Sequence, residues 1–174
     1  IHPMFGPGAR SIKGQNIISI PIKDAKKELA VAKELFEGAN FITIDAIEHD
    51  KRIAVILGLT HLMNLVFANI VSKDEKISLT EKMSGTTFRV QKTLAESIMT
   101  ESPELIETII ANPEIRRVAE EFWKDIGKLL TAVQESKTEE VIEYIKACQA
   151  RLSANTNLDA SYKRLTKMVN AVEK

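Results

Sequence analysis

The chain has three histidines, and His2 is the most informative. It stands in His2-Pro3-Met4-Phe5-Gly6-Pro7, held by a following proline at the mouth of a glycine-rich loop. A ring so placed suits proton transfer. A loop histidine can also be merely solvated, and on this motif alone that reading is the stronger. His49 and Asp50 are neighbours in a first helical turn, and His61 follows twelve residues after His49. No His-x3-His or Cys-His spacing occurs, so no metal site is expected. Cys148 lies in a helical pattern and reads as a buried thiol, not a nucleophile. Gly6-Pro7-Gly8 reads as a turn: the third glycine position of a dinucleotide fingerprint holds Ser11, and no strand precedes it.

The element that must position these groups is the stretch Ile53–Val71, which has no Asp, Glu, Lys or Arg. Asp45 and Glu48 upstream have capping-box spacing, with Asp45 accepting from the Glu48 amide while Glu48 reaches back. A helix from about Ala46 to Ser72 follows, and its second half lacks a solvated face. Its length would suit a membrane span. Gly58, Thr60, His61, Asn64 and Asn69 interrupt it, however, and no other feature asks for lipid. The better reading is the central helix of an all-helical bundle at a subunit contact. Thr60, His61, Asn64 and Ala68 share one side of it. That polar stripe faces a partner helix or a pocket, unless His61 and Asn64 are simply buried and satisfied.

Composition bounds the rest. The chain has 174 residues, 44% of them hydrophobic, with 24 basic and 24 acidic side chains. This suits one domain, or one domain plus a fragment of another. Zero net charge and no basic run beyond Lys26-Lys27 or Arg116-Arg117 argue against a nucleic-acid partner. A single cysteine excludes an internal disulfide framework and fits a reducing cytosol. No signal peptide is visible, and an opening Ile1 in place of methionine suggests a chain cut from something longer.

Residues 1 to 14 read as loop. Asn16–Ile22 reads as a strand, with Pro21 putting its end near a sheet edge. Asp24 is a plausible cap for a helix over Ala25–Glu37, Gly38 its C′ residue, and Phe41–Ile44 a second strand. This β-α-β unit cannot cover both sheet faces, so the rest of a parallel sheet is expected upstream. Helices follow throughout. Ser78 and Glu81 have capping-box spacing, and residues 84–86 interrupt. Phe88, Gln91, Leu94, Ala95 and Ile98 form an inward stripe. Ser102-Pro103 and Asn112-Pro113 each place a cap before a first-turn proline. Ile115, Val118, Ala119, Phe122, Ile126, Leu129, Leu130 and Val133 make the clearest amphipathic stripe. A further helix starts within Ser136–Glu139 with Val141, Ile142, Ile145, Cys148 and Leu152 inward. After a break at Asn155–Asn157, Leu158, Tyr162, Leu165, Met168, Val169 and Val172 finish the chain. The expected fold is mainly α: a helical bundle over 46–174, preceded by a β-α-β remnant of a Rossmann-type domain over 1–45.

In order, HPMFGP, the β-α-β unit, Ala46-Ile47-Glu48-His49-Asp50, Thr60-His61-Leu62 and Ser84-Gly85-Thr86-Thr87-Phe88-Arg89 resemble the prephenate dehydrogenase family. The match covers the end of that family's NAD-binding domain and its helical dimerisation domain. The resemblance implies oxidative decarboxylation of prephenate to 4-hydroxyphenylpyruvate. His2 matches the family's catalytic histidine, which takes the proton of the C4 hydroxyl as hydride leaves C4. Gly6 would line the same pocket. His61 matches a pocket histidine, giving Asn64 and the polar stripe a purpose. His49 and Asp50 match a pair near the dimer contact, from which Asp50 could reach the neighbouring subunit's site.

One departure bears on the substrate. Prephenate is a dianion, which calls for fixed cations, and many relatives carry Arg, seven residues, Arg on one helix. Here Arg89 holds the first position, but the second is Ser97 and nearby Thr93 is also uncharged. Lys92 is the best replacement; Arg10 and Lys13 are further candidates. Arogenate, or another anionic substrate, therefore stays open. The resemblance further implies NAD or NADP, bound mainly by an upstream domain, a homodimer, and a cytoplasmic enzyme acting on neither nucleic acid nor membrane. In isolation the chain could be a dimerisation module without catalysis.

Overall fold

A computed structural model describes residues 1–6 and 8–172, Val172 by its backbone alone. Pro7 and the inward placement expected for Val172 lie outside the described residues. The chain forms two compact units, 1–54 and 55–174, and the fold is mainly α.

In the first unit, β2 (Asn16–Ser19) lies at the centre of a three-stranded sheet. It pairs in parallel with β3 (Asn40–Thr43) and antiparallel with β1 (His2–Pro3), where His2 faces Ile18 and Pro3 faces Ile17. The segment expected to be all loop thus opens with a short strand, because β2 has a free edge whose ladder groups need partners. Flanking on both sides also explains why Ile17, Ile18 and Ser19 are buried. The expected β-α-β connection is present through α1 (Ala25–Leu35). The strand ends at Ser19, short of Ile22, because the next amides serve the helix. Glu28 accepts from the N–H groups of Ile22, Lys23 and Asp24, while Asp24 accepts from those of Lys26 and Lys27. Gly38, at φ +84°, occupies the left-handed region just past the helix, where a Cβ would be strained.

α2 (Ala46–Ile53) is capped by Asp45, whose carboxylate accepts from the Glu48 amide at 2.8 Å. The reciprocal half of the capping box is missing. Glu48 reaches forward to the Arg52 guanidinium at 2.6 Å instead, a charge-assisted pair one turn along.

The helical run continues through a π-helical segment, Ala54–Leu59, into α3 (Thr60–Val71). In the second unit α3 packs on α5 (Thr86–Ile98) and α6 (Pro103–Ile110), and α5 on α9 (Leu158–Val172). α7 (Pro113–Gln134) packs on α8 (Thr138–Ser153), and the Tyr144 hydroxyl of α8 donates to Asp125 of α7. Ser102 and Asn112 cap α6 and α7 ahead of first-turn prolines. Ser78 does not cap α4 (Ile77–Met83): the helix starts one residue earlier, and Asp74 holds its approach by accepting from the Lys76 amide and the Thr80 hydroxyl. α8 has no side-chain cap; Lys137 precedes it.

The core is narrower than the apolar stripes predict. Ile106, Ile115, Val118, Ala95, Ala132 and Val169 are buried, but Leu94, Ile126, Leu130, Val133, Ile142, Ile145 and Leu152 are exposed within the single chain. The long helix is likewise not enclosed. Ala46–Val71 is long and apolar enough to cross a bilayer, yet only 28% of its most apolar window is buried. Val55, Ile56, Met63, Val66 and Ile70 remain exposed.

Candidate functional site

Pairing of β1 with β2 fixes the backbone of His2, and the first turn of α2 fixes His49. The two meet: His2 Nδ1 lies 2.8 Å from His49 Nε2, with ring centroids 5.1 Å apart and planes tilted by 56°. His49 Nδ1 in turn lies 2.9 Å from Asp50 Oδ1. A strand residue and a helix residue 47 positions apart in sequence thus form one line of rings ending on a carboxylate. His2 is half-buried, and burial first, then the adjacent His49, pushes its pKa below the ordinary imidazole value. A neutral ring at neutral pH is the form that can accept a proton. Gly6 is exposed, and a Cβ there would meet open space; its carbonyl accepts from the Ala9 amide, closing a turn.

The remaining expected site residues belong to the second unit, and their polar atoms are largely engaged inside it. His61 Nδ1 donates to the Leu57 carbonyl at 2.7 Å, and its Nε2 lies 3.3 Å from Glu101 Oε2. Thr60 donates to the carbonyls of Ile56 and Leu57. Side chains at the start of α3 therefore serve carbonyls of the π-helical segment, a feature frequent at functional sites. Asn64 donates to the Thr60 carbonyl and accepts from Gln91 Nε2 at 2.7 Å. The polar stripe thus faces a partner helix, α5, through Gln91, and the buried-and-satisfied reading describes Asn64.

Arg89 and Lys92 line one open recess of about 830 Å3 with Ser78, Ser84, Phe88 and Thr93. Lys92 is not a lone cation: its Nζ binds Glu96 and also Glu81 at 3.0 Å, and these bonds raise its pKa. Arg89 Nε reaches Ser84 Oγ at 3.3 Å. Behind Lys92 lies an apolar cavity of about 360 Å3 among Phe67, Ala68, Val71, Ile77 and Met99. Sequence spacing did not show Glu101 opposite His61, Glu81 on Lys92, or His49 on His2. The pairs with a visible signal were His49–Asp50, as adjacent residues, and Lys92–Glu96, four apart on one helix.

Neither a metal nor a nucleotide finds a cradle among the described residues. Among the described residues no three His, Cys, Asp or Glu side chains gather to hold a metal ion. A dinucleotide pyrophosphate needs a glycine-rich turn and free amides at a helix N-terminus. The β2–α1 turn has no glycine, and its amides already bind the carboxylates of Asp24 and Glu28. These residues do not fit NAD or NADP.

Residues 45–147 match the family described as prephenate dehydrogenase, dimerization domain. The chain belongs to the prephenate dehydrogenase family. A search of curated proteins finds no match. Among solved structures, a Synechocystis arogenate dehydrogenase aligns with TM-score 0.61 and 12% identity, over 83% of this chain and 53% of that one. A prephenate dehydrogenase from A. aeolicus, solved with hydroxyphenyl propionate and NAD+, aligns with TM-score 0.62 and 20% identity, over 83% of this chain and 51% of that one. The chain spans about half the length of these dehydrogenases, and at such identities the likeness shows a shared fold.

Proposed function

We propose that this chain is the carboxy-terminal part of a dehydrogenase that oxidatively decarboxylates prephenate to 4-hydroxyphenylpyruvate, in the cytoplasm and as a homodimer. The observation that carries the reading is His2, held by His49 and kept neutral, in a chain of this family. His2 would accept a hydrogen bond from the substrate's C4 hydroxyl and then its proton as C4 gives up hydride to the nicotinamide, and loss of CO2 would then make the ring aromatic, the phenolate taking a proton back. The nicotinamide, NAD or NADP, belongs to protein beyond these residues. The exposed Val31 and Leu35 of α1 and Ile42 of the edge strand β3 support a larger sheet domain joined there. In the complete enzyme, His2→Ala should lower kcat about a hundredfold or more with little change in KM. A variant with near-normal kcat removes His2 from the mechanism.

Lys92 favours a second substrate. Shared between Glu81 and Glu96, it offers a recess of mixed charge, which suits the side chain of arogenate, an ammonium beside a carboxylate, better than the keto side chain of prephenate. Turnover of prephenate against arogenate by the complete enzyme separates the two. The isolated chain should dimerise without binding NAD or NADP in a calorimetric titration.

A further inference from the structure

We propose that Asp50 and His49 act as positioning residues that set the tautomer of His2, so that its Nε2 is bare and faces the substrate. The inference rests on the dehydrogenase reading for its catalytic meaning, but the geometry carries it.

Each ring contact joins two nitrogens or a nitrogen and a carboxylate, so one proton must lie in each. Asp50 Oδ1, as a carboxylate oxygen, can only accept, so the proton in its 2.9 Å contact sits on His49 Nδ1. A neutral His49 then has no proton on Nε2, which must accept from His2 Nδ1–H across 2.8 Å. A neutral His2 is left with a bare Nε2, the lone pair a general base needs. The opposite arrangement would turn the bare His49 Nδ1 toward the carboxylate, lone pair against lone pair. Without the carboxylate the two arrangements differ little, so Asp50 breaks the tie. When His2 Nε2 takes the hydroxyl proton, the new positive charge is shared along the line through Nδ1–H and His49 toward Asp50. The Asp50 side chain is 54% exposed, so this end of the line meets solvent. The logic is that of a base oriented by a third group, with a second imidazole inserted between.

The test has two arms. Nitrogen NMR of the chain labelled at its histidines, at about pH 8 where imidazoles are neutral, reads the tautomer directly; H2Q identifies the His2 signals. Expected is a protonated Nδ1 and bare Nε2 on His2, with that preference lost in D50A, which has no acceptor for His49. A proton on Nε2 in the unsubstituted chain, or the same tautomer in D50A, overturns the proposal whatever the enzyme's substrate. In the complete enzyme, D50N should lower kcat about tenfold to a hundredfold with KM nearly unchanged, and D50E should restore part of it. Normal kcat in D50N beside an inactive H2A overturns the positioning role and leaves the dehydrogenase reading intact. If neither prephenate nor arogenate is turned over, that reading fails, and the NMR arm alone decides the tautomer.

Discussion

Gly58→Ala places a methyl group where α7 already is. Built on the Gly58 backbone, a Cβ falls 2.1 Å from Ile115 Cδ1 and 2.4 Å from its Cγ1. Two carbons settle at about 3.5–4.0 Å, so the overlap exceeds an ångström. Ile115 is only 6% exposed, so either its side chain leaves its rotamer for the recess it lines with Ile110 and Arg116 or the two helices part. Overpacking of this kind costs about 1–3 kcal/mol. Alanine returns up to about 1 kcal/mol of helix propensity, and less in a π-helical segment. The net loss is about 1–2 kcal/mol, or roughly 2–8 °C in Tm for a chain of this length. Thermal unfolding followed by far-ultraviolet circular dichroism, at equal protein concentration because association raises Tm, reads it. The Ile115→Ala background is the control, since there the nearest atom is Cβ at 3.7 Å, ordinary contact. Gly58→Ala should then be neutral or stabilising, giving a large coupling between the sites. A Tm that rises in the unsubstituted chain, or falls equally in both backgrounds, refutes the steric argument.

Three further outcomes follow from other contacts. Ser136 holds φ 56° at the end of α7, where the Lys137 amide binds the Ala132 carbonyl and the Ser136 amide binds that of Val133. Ser136→Gly should stabilise this left-handed turn by about 0.5–1 kcal/mol in urea unfolding; no change in midpoint would mean the serine is unstrained. Ile56, Met63, Val66 and Ile70 present one exposed apolar face on the long helix, so light scattering should find a dimer of the 19.4 kDa chain, and Val66→Asp should shift it toward monomer. A monomer at micromolar concentration before substitution contradicts the dimer. Because burial and His49 lower the His2 pKa, the acid limb of kcat/KM should lie below the ordinary imidazole value of about 6.5. The sign for stability follows. Folded His2 binds protons less readily than unfolded, so its contribution is fully present above the unfolded pKa and is lost as pH falls through the lowered one. His2→Gln should remove that part of the pH dependence of unfolding.

Local chemistry made much of the chain legible in advance. Asp24, Asp45, Ser102 and Asn112 cap helices because a short acceptor beside orphan amides is a local arrangement. The parallel pair β2–β3, the break near Gly85 and the run from Ala46 to Val71 follow from periodicity and turn residues. The prephenate dehydrogenase family was likewise readable from ordered motifs, and the match over residues 45–147 bears it out. Where a carboxylate had more than one donor in reach, or a helix more than one capping side chain, sequence could not choose: Glu48 accepts from Arg52 and not from its own cap, and Asp74, not Ser78, holds the approach to α4.

What the amino-acid order could not disclose were the distant partners. His2 reads as a loop histidine until β1 pairs with β2 and brings it to His49. Lys92 has a visible neighbour in Glu96 one turn along, but that it is also held by Glu81 appears only when α4 packs beside its helix. The stripes on α7 and α8 read as core, yet a single chain leaves much of them in water. Periodicity marks which face is apolar, but whether that face is covered by the same chain or by another depends on packing across long sequence separations.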